Sequence, residues 1–85
     1  MHMNIFVSRL SHAVTELHLE LLFGHFGNVE RVTVVRDKAT GVSRQFGFVE
    51  MEDDRAAREA ISKLNGAPLE GERLMVKPAQ NDRPN

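Results

Sequence analysis

From Asn4 to Arg9 the chain reads NIFVSR, with Ile5 and Val7 on one side and Asn4, Phe6 and Ser8 on the other. Alternation of this kind is the period of a half-buried strand. The period then changes. Leu19, Leu22, Phe23 and Phe26 recur at the spacing of one helix face, which predicts a helix over Glu16 to Phe26. Thr15 is a good N-cap, and Val14 with Leu19 has the spacing of a hydrophobic staple. His18 stands where a capping box carries Glu, so the cap is expected to be half made. Gly27 and Asn28 end the helix. Val29 to Arg36 is valine-rich and alternates again, with Val32 and Val34 on one face and Arg31, Thr33 and Val35 on the other. DKATGVS reads as a loop turning at Gly41, and Arg44 to Met51 as a third strand. Asp53 or Asp54 caps a second helix to about Leu64, with Ala57, Ala60, Ile61 and Leu64 as its stripe and Asn65-Gly66 as its stop. APLEGE is turn-rich, and Arg73 to Lys77 reads as a fourth strand ended by Pro78.

The order β-α-β-β-α-β is that of a ferredoxin-like α+β fold. Right-handed crossovers put both helices on one face of an antiparallel sheet of order 4-1-3-2 and leave the other face uncovered. Parity then sorts the strands. One face collects Ile5, Val7, Val32, Val34, Gly47, Val49, Met51, Leu74 and Val76, all apolar or small. The other collects Asn4, Phe6, Ser8, Arg31, Thr33, Val35, Arg44, Phe46, Phe48, Glu50, Arg73, Met75 and Lys77. The first set is the expected core. Phe6, Phe46 and Phe48 therefore stand at the middle of the open face.

Composition changes this picture little. The 85 residues suit one small domain, and 41% apolar with 27% charged is a globular balance. Residues 4–79 are read as that domain, 1–3 as start or added residues, and 80–85 as a flexible polar tail. There is no cysteine, hence no disulfide, thiolate metal site or thiol nucleophile. No apolar run approaches the ~20 residues of a membrane span, and a cytoplasmic protein is expected. The net charge of −1 argues against a strongly basic binder. Its distribution matters more. Parity puts Arg31, Arg44, Arg73 and Lys77 on the phenylalanine face against Glu50 alone, while Glu16, Glu20, Asp54 and Glu59 fall on the helix side. Aromatic rings among cations suit stacked bases and phosphates, the chemistry of single-stranded nucleic acid.

The octamer RQFGFVEM, Arg44 to Met51, matches the pattern K/R-G-F/Y-G/A-F-V-x-F/Y at Arg44, Phe46, Gly47, Phe48 and Val49. It departs at Gln45, where Gly is expected, and at Met51, where an aromatic is expected. IFVSRL, Ile5 to Leu10, is similar to the hexamer that accompanies this octamer, with Arg9 where Asn is most common. LNG at Leu64 to Gly66 and DKATG at Asp37 to Gly41 fit as well. On these motifs the chain, from Asn4 to Ala79, resembles the RNA recognition motif family, and in size the small single-domain RNA-binding proteins of bacteria and cyanobacteria. The resemblance implies that Phe6 and Phe48 each stack under a base, that Phe46 packs against riboses, and that Arg44 meets a phosphate. It also implies base-edge contacts from the fourth strand and the tail after it, Arg73 to Ala79, with Arg73, Met75 and Lys77 among them. Asn4 and Arg31 complete the expected site. Stacking of ~1–3 kcal/mol per base implies roughly micromolar affinity for a few nucleotides, weakening with salt. Stacking is tolerant of base and sugar, so single-stranded DNA is an alternative ligand.

No cofactor, metal or catalytic group is expected. His12, His18 and His25 lack a completing ligand set, and no nucleophile, histidine and carboxylate are brought together by this fold. An acylphosphatase-like enzyme would need a phosphate-cradling loop that the chain lacks. The other alternative is a protein-interaction module. Leu17 and Leu21 lie one turn apart on the face of the first helix opposite Leu19 and Phe23, an apolar strip aimed at water. It is expected either as scattered exposed leucines or as a patch for self-association or a protein partner.

Overall fold

The computed structural model describes residues 3–79. The tail proposed for residues 80–85 lies outside the described residues. The elements are β1 (Met3–Ser8), α1 (Glu16–Gly24), β2 (Val29–Arg36), β3 (Ser43–Met51), α2 (Asp54–Leu64), β4 (Pro68–Leu69), β5 (Glu72–Arg73) and β6 (Met75–Pro78). Four strands form one antiparallel sheet of order β2-β3-β1-β6, and β4 and β5 form a separate hairpin. With β6 as the fourth sheet strand this is the expected 4-1-3-2 arrangement. Met3 belongs to β1, opposite Met51, so the first strand begins one residue earlier than read from alternation.

The core is the face that parity selected. Ile5, Val7, Val34, Val49, Met51, Leu74 and Val76 are buried, and they meet Leu19 and Phe23 of α1 and Ala56, Ala57, Ala60 and Leu64 of α2. Burial of these side chains is the main stabilising term, at ~1.5–3 kcal/mol for each large one. Gly47 lies in the same layer, where the backbone of the neighbouring strand β2 comes close: a Cβ there would collide with the carbonyl oxygen of Thr33. No helix among the described residues is long and apolar enough to cross a membrane.

Local chemistry sets the helix ends. At α1, Nδ1 of His18 accepts a hydrogen bond from the backbone N–H of Thr15 at 2.9 Å. The imidazole thus performs the carboxylate's part of the capping box, and the reciprocal half is made after all. Its other nitrogen, Nε2, lies 3.5 Å from a carboxylate oxygen of Glu70 on the β4–β5 turn. The helix closes at Gly24 rather than Phe26, because the N–H of Phe26 turns back to the carbonyl of Phe23 in a tighter turn of 3.0 Å. Phe26 still packs partly against the core. Asp53 caps α2 by accepting from the N–H of Ala56 at 3.3 Å.

The C-terminal strand departs from the sequence reading. Alternation runs unbroken from Arg73 to Lys77, yet the chain changes partners within it. Leu74 exchanges backbone hydrogen bonds with Ala67 and Gly66, at 2.9 and 2.8 Å, before Met75 enters the sheet. Arg73 remains in the hairpin, opposite Pro68. Glu70 and Gly71 at its tip have φ of 50° and 86°, the doubly left-handed geometry that a two-residue hairpin turn requires.

Candidate nucleic-acid interface

Strand register assembles the site. Phe6 of β1 lies between Phe48 of β3 and Lys77 of β6, while Phe46 lies opposite Ser8 and Phe48 opposite Thr33. All of these side chains leave the sheet on the face away from the helices. The ring of Phe6 is 5.8 Å from Phe46 and 5.6 Å from Phe48, and Phe46 meets Phe48 edge-on at 6.3 Å. These tilted and T-shaped contacts are the favoured geometries of aromatic pairs. They hold each ring half-buried against its neighbours and leave one side of the cluster open to solvent.

The Nζ of Lys77 stands 5.7 Å from the centre of the Phe6 ring, within reach of a cation–π contact. Phe6, Phe48, Lys77 and Ala79 line a depression of 330 Å³. Ala79, the end of the stretch from Arg73 expected to add base-edge contacts, is placed there because its N–H donates to the carbonyl of Asn4 at 2.9 Å. That bond carries the chain past Pro78 along β1. A wider hollow of 740 Å³ lies elsewhere, between the C-terminal end of α1 and Val29. Volume does not choose between them, since bases bind flat sheet surfaces by stacking rather than by enclosure.

Most of the expected site residues are brought together. Asn4, Arg31, Arg44 and Lys77 are exposed, and Met75 is 42% exposed opposite Ser8. Arg31 pairs in register with Glu50, as does Asn4 from the other side. Arg73 is the exception. Its place in the hairpin takes it out of the sheet, and its guanidinium donates to the carbonyl of Gly66 at 2.9 Å. Among the described residues the ion pairs of arginine or lysine are Arg36–Glu16 and Arg58–Asp54. Arg31, Arg44 and Lys77 are thus left without a carboxylate partner, and both pairs hold acids of the helices. The face is cationic although the chain is not.

Perturbed carboxylates lie off this face. Burial pushes the Glu16 carboxyl up, but hydrogen bonds from the Val34 N–H and its own N–H, with the Arg36 guanidinium, outweigh it and hold the group below its ordinary range. Backbone N–H groups of Thr40 and Ala39 hold Asp37 low in the β2–β3 loop.

Comparison with known proteins gives a consistent result. A family model described as RNA recognition motif matches residues 5–75. The chain is 43% identical over 84 residues to glycine-rich RNA-binding protein 2, mitochondrial, of Arabidopsis thaliana, covering 99% of this chain and 52% of that protein. It therefore spans about half the length of that relative. It is 42% identical to RbpD of Nostoc sp. strain PCC 7120, covering 95% of this chain and 89% of that one. The crystal structure of RNA binding protein PG1 superposes with a TM-score of 0.90 at 44% identity, over 98% of this chain and 99% of that chain. The Sxl-Lethal protein/RNA complex superposes with a TM-score of 0.85 at 35% identity, over 91% of this chain and 47% of that chain.

Proposed function

The chain belongs to the RNA recognition motif family, and from that membership we propose that it binds single-stranded RNA on the uncovered sheet face, without chemistry of its own. The observation that carries this reading is the trio Phe6, Phe46 and Phe48, with centroids 5.6 to 6.3 Å apart on a face whose cations have no carboxylate partner among the described residues. A core would not leave these rings open, and a solvated face would not collect them.

Successive bases stack on Phe6 and Phe48, while Phe46 packs against the riboses between them. Arg44 and Arg31 meet phosphates. Lys77 rests on the Phe6 ring in the free protein, so a base stacking there displaces its ammonium toward the base edge or the backbone. Met75 and Asn4 extend the surface. Two stacks at ~1–3 kcal/mol each, with a few phosphate contacts, offset the ordering of a short RNA and leave roughly micromolar affinity. Fluorescence anisotropy with short random-sequence RNAs tests this. Phe6→Ala and Phe48→Ala should each weaken binding about five- to 150-fold, at ~1.4 kcal/mol per decade. Unchanged affinity after loss of both rings defeats the reading. Single-stranded DNA of the same length measures how much of the affinity depends on the ribose.

A second reading concerns α1. Leu17 and Leu21 are 61% and 63% exposed, and Leu21 also lines the hollow beside Val29. That strip supports a contact surface for a second copy of the chain or another protein, independent of the sheet. Equilibrium sedimentation should then show association that Leu17→Glu/Leu21→Glu removes. A wild type that is monomeric at high concentration excludes self-association there.

A further inference from the structure

Gln45 occupies a backbone conformation made for glycine. Its φ is +68°, and Arg9, with φ +62°, faces it across the end of the β1–β3 ladder. The register explains why. Between the pairs Val34↔Gly47 and Arg36↔Ser43, β2 advances two residues while β3 advances four. Arg44, Gln45 and Phe46 therefore face Val35 alone, and the extra length is taken up in a bulge centred on Gln45. Alternation would send the Gln45 side chain toward the core with Ser43 and Gly47, which are buried. The left-handed turn brings it out instead.

The side chain is then put to use. Nε2 of Gln45 donates to the carbonyl of Leu10 at 3.0 Å, and the N–H of Leu10 donates back to the carbonyl of Gln45 at 3.0 Å. The N–H of Gln45 donates to the hydroxyl of Ser43 at 2.9 Å. Leu10 is itself fully buried. One residue thus clasps the entry of β3 to a core-anchored point just past β1. Its two chain neighbours are Arg44, a cation with no carboxylate partner among the described residues, and Phe46, a member of the aromatic trio. Glycine would adopt the same φ without strain and keep both backbone bonds, but it would lose the amide bond to Leu10 that fastens these neighbours from the side-chain side.

We propose that Gln45 is a positioning residue for RNA binding: its amide clasp on Leu10 holds Arg44 and Phe46 in their binding geometry before RNA arrives. The inference rests on the sheet-face reading above. Preorganisation of this kind strengthens binding by removing the ordering cost of the contact groups. The test compares Gln45→Met, of similar length but without a donor, and Gln45→Gly, free of backbone strain, by RNA anisotropy and by urea unfolding. Both variants should bind RNA about three- to tenfold more weakly, the cost of ordering one or two side chains. Gln45→Gly should do so with an unfolding midpoint close to wild type, which separates positioning from stability, and it decides alone if Gln45→Met fails to fold. In a double-mutant cycle the loss should shrink when Arg44→Ala is already present and persist when Lys77→Ala is. Equal affinity of wild type and Gln45→Gly overturns the proposal, as does a loss of the same size in both backgrounds. If Phe6→Ala and Phe48→Ala weaken binding while the Gln45 variants do not, this inference alone fails. If the phenylalanine variants bind like wild type, the sheet-face reading fails and takes this one with it.

Discussion

Gly47→Ala adds one methyl group where the sheet has no room for it. Gly47 pairs with Val34 between the two phenylalanines of β3, and its side faces the helices. A Cβ there falls on the carbonyl oxygen of Thr33 and within 3.2 Å of the Thr33 carbonyl carbon and the Val34 Cα. These are backbone atoms of the neighbouring strand, so no rotamer change relieves the contact. The strands must part locally. Overpacking of this sort costs about 1–3 kcal/mol, and a stretched ladder hydrogen bond about 1 kcal/mol more. Alanine recovers about 0.5–1 kcal/mol in a strand through its smaller chain entropy loss. The net loss is about 1–3.5 kcal/mol, a large share of the stability of a small domain. With a urea m-value of ~1.3 kcal/mol/M, the unfolding midpoint should fall by about 1–3 M. Gly24→Ala is the matched control. That residue ends α1 with nothing within 4 Å of the added carbon, so alanine should raise stability by about 0.5–1 kcal/mol. A Gly47→Ala midpoint at or above wild type refutes the steric reasoning, because strand propensity alone would then have decided the outcome.

The remaining predictions concern charge. With Arg31, Arg44 and Lys77 as phosphate contacts, log affinity for RNA should fall with log salt at a slope of about −2, and Arg44→Ala should reduce the slope by ~0.7; a slope unaffected by Arg44→Ala removes that residue from the contact set. Arg73→Ala should leave RNA affinity unchanged, since its guanidinium is held by Gly66 in the hairpin, whereas Lys77→Ala should weaken it; a comparable loss in both would return Arg73 to the interface. The Glu16 carboxyl is held low in the folded state, so its stabilising effect is complete above its unfolded range and is lost as pH falls below about 4.5 through the folded value. Glu16→Gln should make the acid limb of the stability–pH curve shallower, modestly so because the side chain is 44% exposed; an identical limb in both proteins would show that the Val34 and Arg36 contacts do not discriminate the charged form.

Much of this arrangement was legible in residue spacing, and the exceptions share a cause. Parity reports which face a side chain takes, and it placed the core and the phenylalanine trio because the two central strands keep one side buried through Ile5 and Val7 and from Gly47 to Met51. It does not report the hydrogen-bond partner. The run Arg73 to Lys77 alternates perfectly while its first residue pairs in a hairpin and Met75 to Lys77 pair in the sheet. Gly71, with Glu70 before it, was the available sign of a two-residue turn. The end of α1 was overrun for a similar reason, since Phe26 keeps the apolar stripe after the helix has tightened and closed. At His18 the pattern looked for a carboxylate, although an imidazole nitrogen can also accept from the Thr15 N–H. Gln45 stood out only as a departure from a motif. Its positive φ and its bond to Leu10 depend on a register shift that no local spacing encodes.

Amide chemical shifts of the labelled protein, titrated with short random-sequence RNA, test the sheet-face site most directly. RNA binding there should move resonances of Phe6, Phe46, Phe48, Arg44, Met75 and Lys77 together, with the amides of α1 and α2 nearly still. Shifts gathered on α1 around Leu17 and Leu21, with the central strands unmoved, would contradict it.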